Sequence, residues 1–205
     1  MLDAPSVPLE AQAASSLLRT GDHEPYLKGY SDGTFRPSTM MTRAEAAQML
    51  YALLREPVTG ETPRFTDVRS GSWYAPAVAA LTSLEVLEGF PDGTFRPNET
   101  ITRAAFVTVV TRCFDLEPGT ASFTDVASTS WAYEAIAAAT SMGWIEGVGD
   151  GTFQPNRGIR RSEAVTVMNR ALGRTGEGFA ANRGAQQFSD VPTTHWAYLQ
   201  ITEAA

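Results

Sequence analysis

Cysteine and histidine are almost missing from this 205-residue sequence. The single thiol, Cys113, excludes an internal disulfide, and its setting in the apolar run FVTVVTRCF marks it as a small buried hydrophobe. Two imidazoles, His23 and His195, supply poorly either a zinc site or a Ser/His/Asp triad. Basic charge is also short: 16 Lys and Arg stand against 23 Asp and Glu, a net charge of −7. A general nucleic-acid binder needs cations to displace phosphate counterions, so that class is excluded, and any anionic ligand has to be held by a few local arginines. No apolar run reaches the length of a transmembrane helix. The opening MLDAPSVPLE has neither a basic nor an apolar leader region, so no signal peptide is visible. The expectation is either a cytoplasmic chain or a piece of a longer secreted protein. No cofactor is implied.

Repetition is what the sequence has in plenty. GYSDGTFRPSTMMTRAEA from Gly29 returns as GFPDGTFRPNETITRAAF from Gly89 and as GVGDGTFQPNRGIRRSEA from Gly147. A second motif recurs as FTDVRSGSWYAPAV from Phe65, FTDVASTSWAYEAI from Phe123 and FSDVPTTHWAYLQI from Phe188. Each full unit reads F-x-D-V, a helix opened by the Trp, the turn D-G-T-F-x-P, and a second helix from the arginine. In the first helix Trp73, Ala77, Val78, Ala80, Leu81 and Leu84 keep helical spacing, matched in the unit from Trp131 by Ala135, Ile136, Ala138, Ala139 and Met142. In the second, the columns Ala46/Phe106/Ala164, Met49/Val109/Val167, Leu50/Val110/Met168 and Leu54/Phe114/Leu172 are apolar in every unit, which predicts one buried face.

These patterns predict an all-α fold, a pseudo-threefold array of helix-turn-helix repeats. Residues 1–25 form an N-terminal segment with a candidate divergent helix. Residues 26–64 hold the turn and second helix of a first repeat, 65–122 a second repeat and 123–187 a third. Residues 188–205 are a half-repeat that can complete the first, closing the array into a ring whose end units are covered. The competing source of the missing helix is PLEAQAASSLLR at residues 8–19. The segments REPVTGETPR, DLEPGTAS and GRTGEGFAANRGAQQ read as loops in one compact body.

The D-G-T-F turn has a structural explanation. Gly33, Gly93 and Gly151 tolerate positive φ, the phenylalanines Phe35, Phe95 and Phe153 plug the core, and Pro37, Pro97 and Pro155 stiffen the exit. A calcium loop lacks its alternating oxygen ligands. Thr42 and Glu45 form a candidate capping box, but the second unit has Ala105 for the acid and the third Arg160 for the Thr. Capping leaves the arginine column unexplained. Arg43, Arg103 and Arg161 lie in the first turn of a helix, where the dipole disfavours a cation. Either each pairs with Asp67, Asp125 or Asp190 of F-x-D-V, or each joins free helix N–H groups in gripping a carboxylate or phosphate. The second reading is preferred. Trp73, Trp131 and Trp196 read first as core, with stacking on a sugar ring as the functional alternative. Trp144 and Tyr30 border the same groove, and His195 reads as surface.

Taken together, F-x-D-V…W, G-y-p-D-G-T-F-r-P and I-T-R-A-E resemble the S-layer homology domain, three times over and from about Tyr26 to Ala205. The resemblance implies a three-pronged all-helical spindle. It implies non-covalent anchoring, outside the cell, to the cell wall or S-layer through secondary cell-wall polysaccharide, commonly a pyruvylated sugar, in grooves between the prongs. It leaves open whether peptidoglycan takes part. The ligand-binding candidates are then Arg43, Arg103, Arg161 or its neighbour Arg160, with Asp67, Asp125, Asp190, Trp73, Trp131 and Trp196 nearby. Substituting Arg43 or Arg103 is expected to weaken wall binding and spare the melting temperature. Two other classes compete: a structural protein–protein assembly module, and a glycoside hydrolase, which needs a carboxylate pair at controlled spacing that does not stand out here.

Overall fold

A computed structural model describes residues 16–58, 65–174 and 188–205. Among these residues there are six α-helices and no strand: α1 (Arg43–Ala52), α2 (Ala75–Ser83), α3 (Arg103–Thr111), α4 (Tyr133–Ser141), α5 (Arg161–Ala171) and α6 (Tyr198–Ala204). The all-α expectation holds. Each helix that starts at an arginine packs against the helix that follows it: α1 on α2, α3 on α4 and α5 on α6, with α3 also touching α5.

The apolar columns explain these pairings. Phe106, Met49, Leu50, Val110 and Met168 are buried, as are Ala77, Val78, Ala80 and Leu81 on α2 and Ile136 and Ala139 on α4. Small residues on one helix let the long ones of its partner approach closely. Helix ends follow local chemistry. Thr42 caps α1 with its hydroxyl on Glu45 N–H, while Glu45 returns a carboxylate to Thr42 N–H at 2.8 Å. The other units keep half of that box each. Thr102 caps Ala105 N–H in α3, and Glu163 accepts from Arg160 N–H in α5. Gly143 ends α4 with φ near 70°, and Glu85 takes the left-handed conformation in the same place after α2.

At the centre, backbone hydrogen bonds run in a cycle. Met41 N–H donates to Ile159 C=O (2.9 Å), Ile159 N–H to Ile101 C=O (3.1 Å), and Ile101 N–H to Met41 C=O (3.0 Å). The exposed N–H groups of each helix start are taken by the loop of another repeat. Arg43 and Ala44 donate to Glu99 and Pro97, Arg103 and Ala104 to Arg157 and Pro155, and Arg161 and Ser162 to Thr39 and Pro37. These donors are therefore occupied, and the expectation that they join an arginine on an anion does not hold.

The C-terminal half-repeat lies against the N-terminal part. Ser189 N–H donates to Gly33 C=O, and both Tyr26 and Leu27 N–H to Ala204 C=O. The competing helix at residues 8–19 lies mostly outside the described residues. Its last residues run as a connector, with buried Leu18 bridged to Leu54. Two of the three predicted loops, at 55–64 and 173–187, are described only in part, while 115–122 is irregular, as expected.

Candidate functional site

The recurrent residues meet on one peptide unit. Asp67 accepts from Phe95 N–H (2.8 Å) and from Arg96 N–H (2.7 Å). Arg43, from a different repeat, donates its Nε to the carbonyl of the same Phe95 at 2.7 Å. The pattern returns with Asp125 and Arg103 on Phe153, and with Asp190 and Arg161 on Phe35. So one phenylalanine is held at both ends of its backbone while its ring is fully buried. The next residue, Arg36, Arg96 or Gln154, has φ of 58–59°. A left-handed non-glycine residue is costly, and the aspartate's second oxygen, bonded to its N–H, offsets that cost.

This geometry decides between two expectations. No ion pair joins Arg43, Arg103 or Arg161 to Asp67, Asp125 or Asp190 among the described residues; the arginines reach backbone carbonyls instead. Those carbonyls give each cation hydrogen-bond partners at a helix start that disfavours it. Arg103 and Arg161 are only 7% and 3% exposed, and Arg43 is half-buried. Removing Arg103 would thus cost stability, contrary to the expectation of an unchanged melting temperature. Burial lowers the Arg43 and Arg103 pKa values, against an opposing effect of Glu99 on Arg43 and Glu163 on Arg103, but a guanidinium remains charged. Each of the three aspartates accepts one backbone N–H on each carboxylate oxygen, which gives all three a structural task.

The tryptophans are the main correction. Trp73, Trp131 and Trp196 are 61%, 69% and 65% exposed, so they are not core. Each sits in the turn before its helix, off the apolar stripe: α2, α4 and α6 begin two residues later. Trp144, expected at the groove, is buried against Phe114 with ring centroids 4.8 Å apart. His195 is half-buried, stacks on Trp196 and accepts from Ala197 N–H. Arg160 is exposed at the N-cap of α5.

Trp73 borders a cavity of about 430 Å³ with Lys28, Tyr30, Glu45, Gln48 and Arg161. It is an inter-repeat groove: the arginine comes from α5, the glutamate and glutamine from α1, and the indole from the turn before α2. The Tyr30 ring centroid lies 5.0 Å from the Arg161 guanidinium carbon and 3.9 Å from that of Arg36, so two cations lie over this ring. Tyr30 OH donates to Glu45 Oε1 at 3.2 Å. Arg161 and Trp73 are brought together here; Asp67 instead borders a hollow of about 610 Å³ with Arg69, Arg96 and Glu99. A larger and more open hollow, about 1020 Å³, is lined by Phe65, Leu84, Glu88, Phe90 and Arg112 and holds none of the predicted site residues. An indole face, a tyrosine and a few polar groups in one cleft can stack a sugar ring and bond its hydroxyls.

Sequence reasoning missed the partners of the arginines. Glu45 Oε1 lies 3.5 Å from Arg161 Nη1, and Glu163 Oε1 lies 3.5 Å from Arg103 Nη1. The Glu163 carboxyl is raised by burial, yet its hydrogen bonds from Arg157 and Arg160 N–H, with the Arg103 charge, bring it below the usual value. The column Glu45/Ala105/Glu163 was visible as a capping position. What it faces belongs to another repeat, which periodicity along one chain does not reveal. Lys28 and Gln48 carried no recurrent signal at all.

Residues 25–47, 64–107 and 122–165 match the profile of the S-layer homology domain. The chain is 38% identical over 194 residues to the cellulosome-anchoring protein of Acetivibrio thermocellus, covering 90% of this chain and 42% of that protein. It is 37% identical over 200 residues to cell surface glycoprotein 1 of the same organism, covering 90% of the chain and 8% of the relative. It is 36% identical over 166 residues to the surface-layer 125 kDa protein of Lysinibacillus sphaericus, covering 78% of the chain and 14% of the relative. The chain thus spans less than half the length of each of these relatives.

Proposed function

Since this chain belongs to the S-layer homology domain family, we propose that it fastens a longer protein non-covalently to the outside of a cell envelope. The ligand is secondary cell-wall polysaccharide, with a pyruvylated sugar as the recognised unit, held in the grooves between repeats. The observation that carries this reading is the cleft of about 430 Å³ in which exposed Trp73 stands beside Tyr30 and Arg161. A tryptophan left in water at the same point of each unit needs a use, since burying it would contribute on the order of 2–3 kcal/mol to folding. Stacking on a sugar supplies that use. The names of the relatives, a cellulosome-anchoring protein, a cell surface glycoprotein and a surface-layer protein, point the same way.

Each groove binds modestly, because one charge-assisted hydrogen bond contributes only about 1.5–3 kcal/mol. A polymer offering many copies raises the overall affinity through effective concentration. The net charge of −7 repels an anionic polymer at long range, so local geometry has to dominate. We also carry the architecture as part of the proposal: a pseudo-threefold spindle, with residues 188–205 completing the repeat begun at residue 26. Support comes from Asp190 serving Phe35 as Asp67 serves Phe95.

The test is a pull-down on purified cell wall, before and after removal of its non-peptidoglycan polymer. Binding should vanish with the polymer; binding that survives its removal sinks the reading. Trp73→Ala should weaken capture several-fold without moving the melting temperature, since the side chain is largely in water.

A further inference from the structure

The three arginines are not equivalent, and the difference lies in one residue. At two of them a glutamate from another repeat stands 3.5 Å from the arginine Nη1: Glu45 at Arg161 and Glu163 at Arg103. The same register puts Ala105 opposite Arg43. Arg43 keeps the shared backbone bonds, Nε to Phe95 C=O (2.7 Å) and Nη2 to Glu88 C=O (2.9 Å). Its Nη1 has no hydrogen bond or ion pair among the described residues, and it is not one of the buried unsatisfied atoms. Arg43 is also the least buried of the three. A carboxylate from inside the molecule therefore stands 3.5 Å from the guanidinium of Arg161 and of Arg103, whereas Arg43 feels Glu99 without an ion pair between them among the described residues.

Resting on the anchoring reading above, we propose that the Arg43 groove is the one that takes an acidic sugar in this chain, its single carboxylate filling the place that Glu45 and Glu163 fill in the others. A ligand carboxylate at Arg161 or Arg103 would have to displace a tethered glutamate and meet its negative charge at close range. At Arg43 it meets a free N–H, with the Phe90 ring 5.0 Å from the guanidinium carbon to exclude water on one side. Arg112, the C-cap residue of α3, pairs with the side chain of Glu88, the residue whose backbone carbonyl accepts from Arg43. Its present partner, Glu88, is an exposed side chain at 3.0 Å, a pair that a ligand can rearrange at little cost. The helix N–H groups take no part, since loop carbonyls hold them. The Trp73 groove, with its arginine already neutralised, suits an uncharged stretch of the same polymer.

The shared ligand chemistry is a monocarboxylate on a sugar, from a pyruvate ketal or from a uronic acid. Three probes separate the sources: a methyl hexoside carrying a pyruvate ketal, a methyl hexuronoside, and the plain methyl hexoside. Arginine Nε–H resonances of the whole chain report which guanidinium responds. The expected result is a saturable shift at Arg43 with one or both acidic probes and none with the plain sugar. Ala105→Glu should weaken that response at least 10-fold, because it installs the internal competitor. Glu45→Gln removes the competing charge while keeping an oxygen for the cap, and it should bring a second responding signal at Arg161. Equal responses of Arg43, Arg103 and Arg161 in the native chain overturn the inference, as does an Ala105→Glu chain that titrates like the native one. Should Ala105→Glu fail to fold, Glu45→Gln decides alone: no new Arg161 response overturns it. If the wall polymer is captured but no acidic probe moves Arg43, this inference falls and the anchoring reading stands. If the polymer is not captured, both fall.

Discussion

Two kinds of junction hold these helices, and they are built on opposite plans. The clamp on Phe35, Phe95 and Phe153 is written three times with the same aspartate and arginine and bond lengths within a few tenths of an ångström. The seam where α6 meets the start of the described chain is written once. There Glu203 stands where α2 and α4 carry Ala80 and Ala138, almost wholly buried. Arg174, with no side-chain exposure, lies 3.7 Å from it, reaches Asp22 at 2.8 Å, and donates to Glu24 C=O. His23 Nδ1 lies 3.1 Å from Glu203 Oε1. Tyr26 OH donates to Asn169 Oδ1 at 2.6 Å alongside. A repeated junction lets any unit pair with any other. A unique, buried, charged junction admits only one partner, because a mismatch strands a charge in apolar surroundings. The comparison teaches that repeated residues make the units, and departures from the repeat decide how the units are used.

The largest expected effect comes from deleting the seam. A chain ended after Arg183 loses buried Val191, Ala197, Ile201 and Ala204 and the Asp190 clamp on Phe35. We expect the melting temperature to fall by about 10 °C or more, at about 2–4 °C per kcal/mol for a chain of this size. A small loss in a thermal melt would break the idea that the C-terminal half-repeat completes the first unit.

Next in size is the seam's charge. Arg174→Leu leaves Glu203 buried beside His23 alone and should cost about 3–5 kcal/mol in denaturant unfolding. Adding Glu203→Ala, which restores the residue of the other two units, should return most of it. Additive losses would show that the pair is not coupled.

The clamp is expected to respond equally wherever it is cut. Asp67→Ala, Asp125→Ala and Asp190→Ala each remove two charge-assisted bonds and should each cost about 2–3 kcal/mol. A loss confined to Asp190 would mean that the seam, not the clamp, governs stability.

The smallest effect is in acid. Asp32 and Asp92 have carboxyl pKa values lowered to about 2, first by the hydrogen bond from the Thr34 or Thr94 hydroxyl and then by Arg36 or Arg96. A group whose folded pKa lies below its unfolded value stabilises above the unfolded value and loses that as pH falls through the folded one. Stability should therefore decline between about pH 4 and pH 2, and Asp92→Asn should flatten that decline slightly. Both groups are in water, so an unchanged pH profile in the variant would mark these turns as energetically neutral.

Much of the fold was legible. The columns from Ala46/Phe106/Ala164 to Leu54/Phe114/Leu172 are buried in all three units, because an α-helix has a fixed period and only one face can be covered. The turn glycines have φ near 80°, and the turn phenylalanines are fully buried, as their pattern required. The tryptophans were misplaced because composition favours a buried indole, whereas the turn before each helix points them to solvent. The role of the arginines was half legible. Their cost at a helix start was visible, but their partners, Phe95, Phe153 and Phe35, lie about 50 or more residues away.

From the sequence alone come the number of units, their helical character, the turns and the buried faces, since these depend on neighbours within a few residues along the chain. Only the tertiary structure decided that each glutamate of the capping column answers an arginine of a different repeat, so that Ala105 unpairs Arg43 rather than Arg103. That correspondence depends on how one unit is rotated against the next, and the periodicity within a unit carries no information about the angle between units.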